Sequence, residues 1–321
     1  TTGMFYLQKN DYKQAQKYLT TAYDLESFPE KTTLILLQTL AGLCMQDEHF
    51  DKAVSYYRAY LKLAKVPGKD IYLGLGTAYF QKKEYNLAIK ILENAIRQLG
   101  PNESCYVTLF SSYYELKQLD KAATVLEKMI RLWPEKSKYW LQLASLYIEM
   151  NNYNKAIEIM QLAFTQSYLV KEKNFLQYVY ALYEAHLPFK AAVAIQKGMQ
   201  QNVIKKNLKN YELLSTMYLE AKERKKAILA LKQATSFSKD GHSDLLIAQL
   251  YFEMEDAFDK VIEHAKKAIK KGIKQEGNAN MLIAVAYSEL GKTENAKEYF
   301  TTASKFETTQ KASLQWLQSL P

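Results

Sequence analysis

Six glutamates, Glu115, Glu149, Glu184, Glu220, Glu253 and Glu289, recur along this chain at intervals of 33 to 36 residues. The first five directly follow an apolar or aromatic residue: Tyr114, Ile148, Tyr183, Leu219 and Phe252. Phe80 and Met45 hold the same place earlier in the chain without the acid. A carboxylate beside an apolar side chain makes and breaks no bonds by itself. It recognises: the carboxylate accepts charge-assisted hydrogen bonds from Lys or Arg, and its neighbour takes up the apolar residue in between. The row therefore predicts a surface for an extended partner that carries basic residues among apolar ones. The alternative is a polar last helical turn in which Glu is ordinary filler. Against that, Glu at a helix C-terminus opposes the macrodipole by about 0.3–1 kcal/mol.

Catalytic constellations are missing. His49, His186, His242 and His264 are scattered along the chain, each near a turn or on a polar helix face, with no carboxylate or cysteine partner at a familiar spacing. Ser111 with Ser112, and Glu263 with His264, are neighbours whose side chains diverge on a helix. Gly-rich phosphate loops are missing, and Gly74 and Gly76 read as close-packing positions inside a helix. Cys44 and Cys105 lie two repeats apart, too far for a disulfide without distortion, and offer no metal spacing. The expectation is a non-enzymatic chain with no metal and no cofactor.

The elements that position the glutamates follow from a second recurrence. Ala15, Ala53, Ala88, Ala122, Ala156, Ala191, Ala227, Val261 and Ala296 are spaced 34 to 38 residues apart. Nine residues before each marker stand Tyr6, Cys44, Tyr79, Tyr113, Tyr147, Leu182, Tyr218, Phe252 and Tyr287, and four after it mostly large apolar residues such as Leu19, Leu92 and Phe300. Offsets of 0, +4 and +7 mark one face of a helix. Each repeat then holds two antiparallel amphipathic helices, A and B, which cross where the small marker lets their backbones approach. One such pair cannot bury both apolar faces, so neighbours must stack.

Composition agrees: 48% hydrophobic residues with 25 Tyr, 11 Gly and 6 Pro describe a helical chain with no low-complexity segment. Pro29, Pro67, Pro101, Pro134 and Pro188 fall at turns. No run approaches about 18 apolar residues, so no transmembrane helix is expected. The net charge of +9 gathers around Lys205, Lys206, Lys209, Lys222, Arg224, Lys225 and Lys226, and around Lys266, Lys267, Lys270, Lys271 and Lys274. These read as solvated B-helix faces, compatible with peripheral contact at an anionic membrane. Nucleic acid is not expected, because only four of the 43 basic residues are Arg and no base-stacking aromatics interleave with them. Gly3 and Tyr6 already belong to a first helix, so the chain reads as a fragment or processed product with Thr1 inside a repeat. At the other end Thr308 to Leu320 reads as a capping helix, with Ala312, Leu314, Trp316, Leu317 and Leu320 available to cover the last hairpin.

A period near 34, an aromatic in helix A and alanines in helix B resemble the tetratricopeptide repeat, most clearly in Trp140, Leu143, Ala144, Tyr147, Tyr153, Ala156 and Ala163. The resemblance implies an all-α, right-handed superhelical solenoid of about nine hairpins with a C-terminal capping helix. It forms one domain over 1–321, with units at roughly 1–30, 31–67, 68–101, 102–135, 136–170, 171–206, 207–240, 241–275 and 276–307, and the cap at 308–320. It also implies a peptide-holding groove lined by the A helices, with Phe80, Tyr114, Glu115, Glu149, Tyr183, Glu184, Glu220, Phe252, Glu253 and Glu289 as candidate contacts. A clamp for acidic C-termini is excluded, since the turns that would supply Lys and Asn carry Thr77, Ser111, Ser145, Tyr180 and Thr216. The irregular eighth unit, with one extra residue at Asp256 and Val261 as marker, is where the geometry should depart most.

From about Lys136 onward a narrower resemblance appears. The segments Leu187-Pro188-Phe189-Lys190-Ala191-Ala192, Lys206-Asn207-Leu208-Lys209-Asn210-Tyr211 and Lys311-Ala312-Ser313-Leu314-Gln315-Trp316-Leu317 look like those of bacterial tetratricopeptide proteins found with TonB energy-transduction systems. That implies a periplasmic accessory protein that associates with TonB, ExbB or ExbD and supports iron uptake. Two other classes stay open: a structural spacer in another envelope or cytoplasmic complex, and the docking domain of an enzyme whose catalytic part lies upstream.

Overall fold

The computed structural model describes residues 2–25, 28–255 and 257–320, and among these every regular element is an α-helix, nineteen in all. The chain forms two compact units, 1–151 and 152–321. Unit 1 contains α1 (Thr2–Gln8), α2 (Tyr12–Asp24), α3 (Glu30–Gln46), α4 (Phe50–Leu63), α5 (Lys69–Gln81), α6 (Tyr85–Leu99), α7 (Glu103–Glu115), α8 (Leu119–Leu132) and α9 (Ser137–Glu149). Unit 2 contains α10 (Tyr153–Thr165), α11 (Glu172–Glu184), α12 (Pro188–Gln200), α13 (Leu208–Glu220), α14 (Arg224–Ala234), α15 (His242–Phe252), α16 (Phe258–Lys270), α17 (Glu276–Glu289), α18 (Thr293–Ala303) and α19 (Gln310–Ser319). Within each unit every helix packs chiefly on its sequence neighbours, the pattern of a stack of hairpins.

The turn between helices A and B is built the same way in eight of the nine repeats. Five residues before the marker stand Asn10, Glu48, Lys83, Lys117, Asn151, His186, Lys222 and Gly291, all at φ between 55° and 68°. The left-handed conformation costs a non-glycine residue about 1–2 kcal/mol, and the closing hydrogen bonds of the motif offset it. The next amide donates to the carbonyl of the residue nine before the marker: His49 to Cys44 at 2.8 Å, Glu84 to Tyr79 at 2.9 Å, Gln118 to Tyr113 at 2.9 Å, Leu187 to Leu182 at 2.9 Å and Glu223 to Tyr218 at 2.8 Å. The conserved place of the aromatic is therefore also the place where the backbone turn closes.

All nine markers, Val261 included, are fully buried at 0% exposure, which fits their role as crossing points where nothing larger than the native side chain has room. Their partners Leu19, Leu92, Leu126, Met160, Ile195, Ala265 and Phe300 are buried to the same degree. Gly76 and Gly74 serve close packing as the sequence predicts: a Cβ would lie 2.6 Å from Leu92 on Gly76 and 2.3 Å from Tyr57 on Gly74.

The eighth repeat departs from the register. Asp256 itself lies outside the described residues. Before it, however, the left-handed turn residue is Glu255 at φ 56°, and Tyr251, not Phe252, is the buried aromatic. The frame ahead of 256 thus runs one residue early, which moves Phe252 and Glu253 to the solvent-facing places of their row. The repeat also opens on Gly241 at φ 74°, where a Cβ would lie 2.5 Å from the carbonyl oxygen of Ala268. Backbone cannot yield as a side chain does, so Gly241→Ala is expected to cost about 2 kcal/mol. Denaturant unfolding of the full chain would read that loss, and an unchanged midpoint would contradict it.

At the C-terminal end α19 covers α18, but with a face rotated from the expected one. Trp316 stacks on Phe300 at 5.4 Å, Leu317 and Leu320 join the same cluster, and Ser313 is fully buried. Ala312 and Leu314 face outward, Leu314 at 47% exposure. The small Ser313 lets the helix sit close, its hydroxyl 3.4 Å from the Met281 sulfur, which turns its two apolar neighbours away. Among the described residues no helix is long and apolar enough to cross a membrane, and no group of three His, Cys, Asp or Glu is arranged to hold a metal ion.

Candidate functional site

The glutamate row stands where helix periodicity puts it. Glu115, Glu149, Glu184, Glu220 and Glu289 are the last residues of α7, α9, α11, α13 and α17, and Glu253 is the C-cap of α15. The residue nine before the marker points into the core, as does Tyr251, ten before it, in the shifted eighth repeat, so the two that follow must turn outward before the chain reverses. All six glutamates are exposed except Glu184, which is half-buried.

In unit 1 the structure brings two predicted residues together across a repeat. The Tyr114 hydroxyl on α7 donates to Glu149 Oε2 on α9 at 2.9 Å, and that carboxylate pushes the tyrosine hydroxyl up from its ordinary pKa. Lys117 lies 5.0 Å from the Tyr114 ring centroid. Glu115 is exposed with no hydrogen bond or ion pair among the described residues. Phe80 does not join the row as an open contact: it is half-buried, packs on the α3–α6 core cluster and meets Tyr85 at 5.4 Å.

In unit 2, Tyr183 is 39% exposed beside Glu184. The Tyr180 hydroxyl, one turn earlier, is pushed up by its hydrogen bond to Tyr153 and by the Glu184 charge. Glu220 and Glu289 are exposed, while Phe252 packs edge-on against Phe258 at 6.1 Å. Glu253 is engaged from within the chain, because Arg224 Nε at the start of α14 lies 3.4 Å from its Oε2. Both partners are more than half exposed, so this pair is worth little and can be exchanged for an incoming cation.

A buried charged cluster escaped the sequence reading. His264 was expected on a polar face without a carboxylate partner; instead it is 6% exposed, with Nδ1 3.4 Å from Oδ1 of Asp244, itself 2% exposed. Lys271 Nζ donates to Asp244 Oδ2 at 2.8 Å and to the Thr235 carbonyl at 3.2 Å. Tyr251 stacks on the imidazole at 5.9 Å. Burial alone would raise the Asp244 carboxyl, but the hydrogen bonds from His264 and Lys271 outweigh it and hold the group below its ordinary range. The signal was the register: His264 stands three residues after the marker, where Tyr56, Ile91, Val125, Ile159 and Tyr299 stand in other repeats. An inward place holding a titratable group demands a buried partner. The cluster ties α14, α15 and α16 together.

Comparison with known proteins agrees with this architecture. The family described as anaphase-promoting complex, cyclosome, subunit 3 matches residues 46–129, and families described as tetratricopeptide repeat match residues 113–165, 3–28 and 277–307. No curated protein matches the chain in sequence. Among solved structures, that of Naa15/Naa10 bound to HypK-THB is similar over 97% of this chain and 63% of that chain, with a TM-score of 0.52 and 13% identity. The C-terminal part of a TPR repeat-containing protein from Cytophaga hutchinsonii is similar over 87% of this chain and 98% of its own, with a TM-score of 0.48 and 16% identity. A tetratricopeptide repeat protein from Parabacteroides merdae covers 79% and 99%, with 0.44 and 14%.

Proposed function

This chain is built from tetratricopeptide repeats, and from that premise we propose that it is a protein-interaction scaffold whose A-helix faces hold an extended partner segment carrying Lys or Arg among apolar residues. The observation that carries this reading is the run of exposed carboxylates on the last turns of successive A helices, set beside apolar or aromatic side chains. In unit 2 these are Glu220 beside Leu219 and the half-buried Glu184 beside the exposed Tyr183, with Glu289 exposed beside Ser288; in unit 1 they are Glu115 beside Tyr114 and Glu149 beside Ile148. Each carboxylate can receive one cation of an extended segment, and the tyrosines add rigid contact area.

The setting we assign is the bacterial periplasm, as an accessory component of a TonB energy-transduction system. The support is the resemblance carried by the segments around Pro188, Asn207 and Trp316, together with the match of charge between an acidic row and the Pro- and Lys-rich periplasmic segments that TonB proteins have in general.

The test is a pull-down from a bacterial envelope extract with the protein and with the triple variant Glu149→Lys, Glu184→Lys, Glu220→Lys. TonB, ExbB or ExbD captured by the first and lost from the second, with capture weakening as salt rises, is the expected result. Capture by both would move the contact to another face. Capture by neither would remove the TonB assignment and leave the scaffold in search of another partner.

A further inference from the structure

Away from the A-helix faces, clefts open between successive B helices, and the repeat register makes them the same cleft. One in unit 1 lies between α4 and α6 over α5, with a volume of about 370 Å³. A second lies between α6 and α8 over α7, at about 420 Å³. In unit 2 the largest of the three, about 490 Å³, lies between α12 and α14 over α13. Each is floored by the tyrosine nine residues before the marker, Tyr79, Tyr113 and Tyr218, at 7%, 8% and 3% exposure.

In four repeats the hydroxyl of that tyrosine meets the side chain five residues after the preceding marker. Tyr113 donates to Glu93 Oε1 and Tyr147 to Glu127 Oε1, both at 2.6 Å. Lys232 and Lys266 donate to Tyr251 and Tyr287 at 3.0 and 2.9 Å. At Tyr218 the corresponding residue is Gln196, and no described side chain hydrogen-bonds the hydroxyl. A tyrosine hydroxyl that opens on a cleft and is held by no described side chain is a donor available to an incoming acceptor.

The surroundings of that donor are those of a carboxylate site. In the α6/α8 cleft Lys121 lies 5.6 Å from the ring of Tyr113, whose hydroxyl donates to Glu93. Lys226 holds the register place of Lys121 and lies 5.9 Å from the Tyr218 ring. Lys206 and Lys232 also line the α12/α14 cleft, with Gln200 and Gln233, and no carboxylate lines it. Lys226 does meet Glu223 at 3.2 Å, but that pair is an exposed one on a single helix and exchanges at little cost. Leu229, on the cleft rim, is 62% exposed above the buried Met199 and Leu214.

We propose that the α12/α14 cleft binds an acidic segment of a protein partner, whose Glu or Asp takes on Tyr218 and Lys226 the place that Glu93 takes on Tyr113 and Lys121. An apolar residue beside that acid seats on Leu229 and Met199. This surface is separate from the acidic row of the A helices and stands or falls independently of it, since it selects the opposite charge.

The test uses the full chain and fluorescence anisotropy with a labelled peptide of Glu–Leu pairs spaced by Ser, beside its counterpart with Gln for Glu. A charge-assisted hydrogen bond in a half-closed site contributes enough for the Glu peptide to bind about tenfold more tightly than the Gln peptide. Gln196→Glu supplies the carboxylate from within and is expected to weaken the Glu peptide about tenfold with helicity unchanged by circular dichroism. Tyr218→Phe, which keeps the ring, is expected to weaken it about threefold to tenfold; should Gln196→Glu disturb the fold, Tyr218→Phe alone decides. The pair Glu184→Gln, Glu220→Gln is expected to change nothing here. Equal affinity for the two peptides, no binding of either, or Glu-peptide binding that survives both cleft variants would overturn the proposal, the last as general attraction to a basic surface.

Discussion

Asp244→Ala is expected to destabilise the chain by about 3–5 kcal/mol, because it removes one partner of a buried ion cluster and strands the others. Lys271 would keep only the Thr235 carbonyl, and His264 would face an apolar hole between α15 and α16. Reversible urea unfolding at neutral pH reads the loss. Hydrogen exchange should place it in α14 to α16, since stability in stacked repeats is a sum of local terms and nearest-neighbour interfaces. The same group predicts an acid limb. Its carboxyl is held below the unfolded-state value of about 3.9, so its contribution is complete above that pH and is lost as the pH falls from there through the native value. Asp244→Asn should flatten this part of the stability profile. A variant as stable as the parent at pH 7, or an unchanged acid limb, would show that the cluster contributes nothing beyond packing.

Phe300→Ala is expected to cost a similar amount, about 3–5 kcal/mol, and to release the C-terminal cap. Phe300 is fully buried in one cluster with Ala284 and Ala296, and the Trp316 ring stacks on it, the two rings inclined by only 11°. Removing it takes away both the core of the last hairpin and the platform on which α19 rests. Amide protection in α18 and α19 should fall while α11 to α13 keep theirs. Uniform loss across unit 2 would mean that the hairpins unfold as one body and that the cap is not an independent layer.

How far the sequence could be read is decided by whether a residue's neighbours repeat. The markers and the residues four beyond them were legible because one packing solution recurs nine times, and a small or apolar residue at a fixed offset has only one place to go. Glu115, Glu149 and Glu220 were legible as outward-facing for the same reason. The pairing of His264 with Asp244 was not, since it joins two helices through residues twenty apart that occur in one repeat alone. Nor was the engagement of Glu253 by Arg224, which depends on where a long side chain reaches after the eighth repeat has shifted by a residue. The clefts over Tyr79, Tyr113 and Tyr218 were hidden in another way: their floors were read as core, and whether a core tyrosine has its hydroxyl satisfied depends on the residue that the preceding repeat happens to offer.

By itself the sequence determined the hairpin as the unit, the small residue at its crossing, the mostly aromatic place nine residues before it, and the outward place of the glutamates. These follow from helical periodicity and from the room available where two backbones approach, and both are properties of the chain alone. The tertiary structure decided which polar groups find one another: Tyr114 with Glu149, Asp244 with His264 and Lys271, and Glu93 with Tyr113, while no described side chain holds the Tyr218 hydroxyl. A hydrogen bond needs its two atoms within about 3 Å, and residues twenty or thirty-five positions apart reach that separation only after the repeats have stacked and each side chain has settled against a neighbour that the period does not specify.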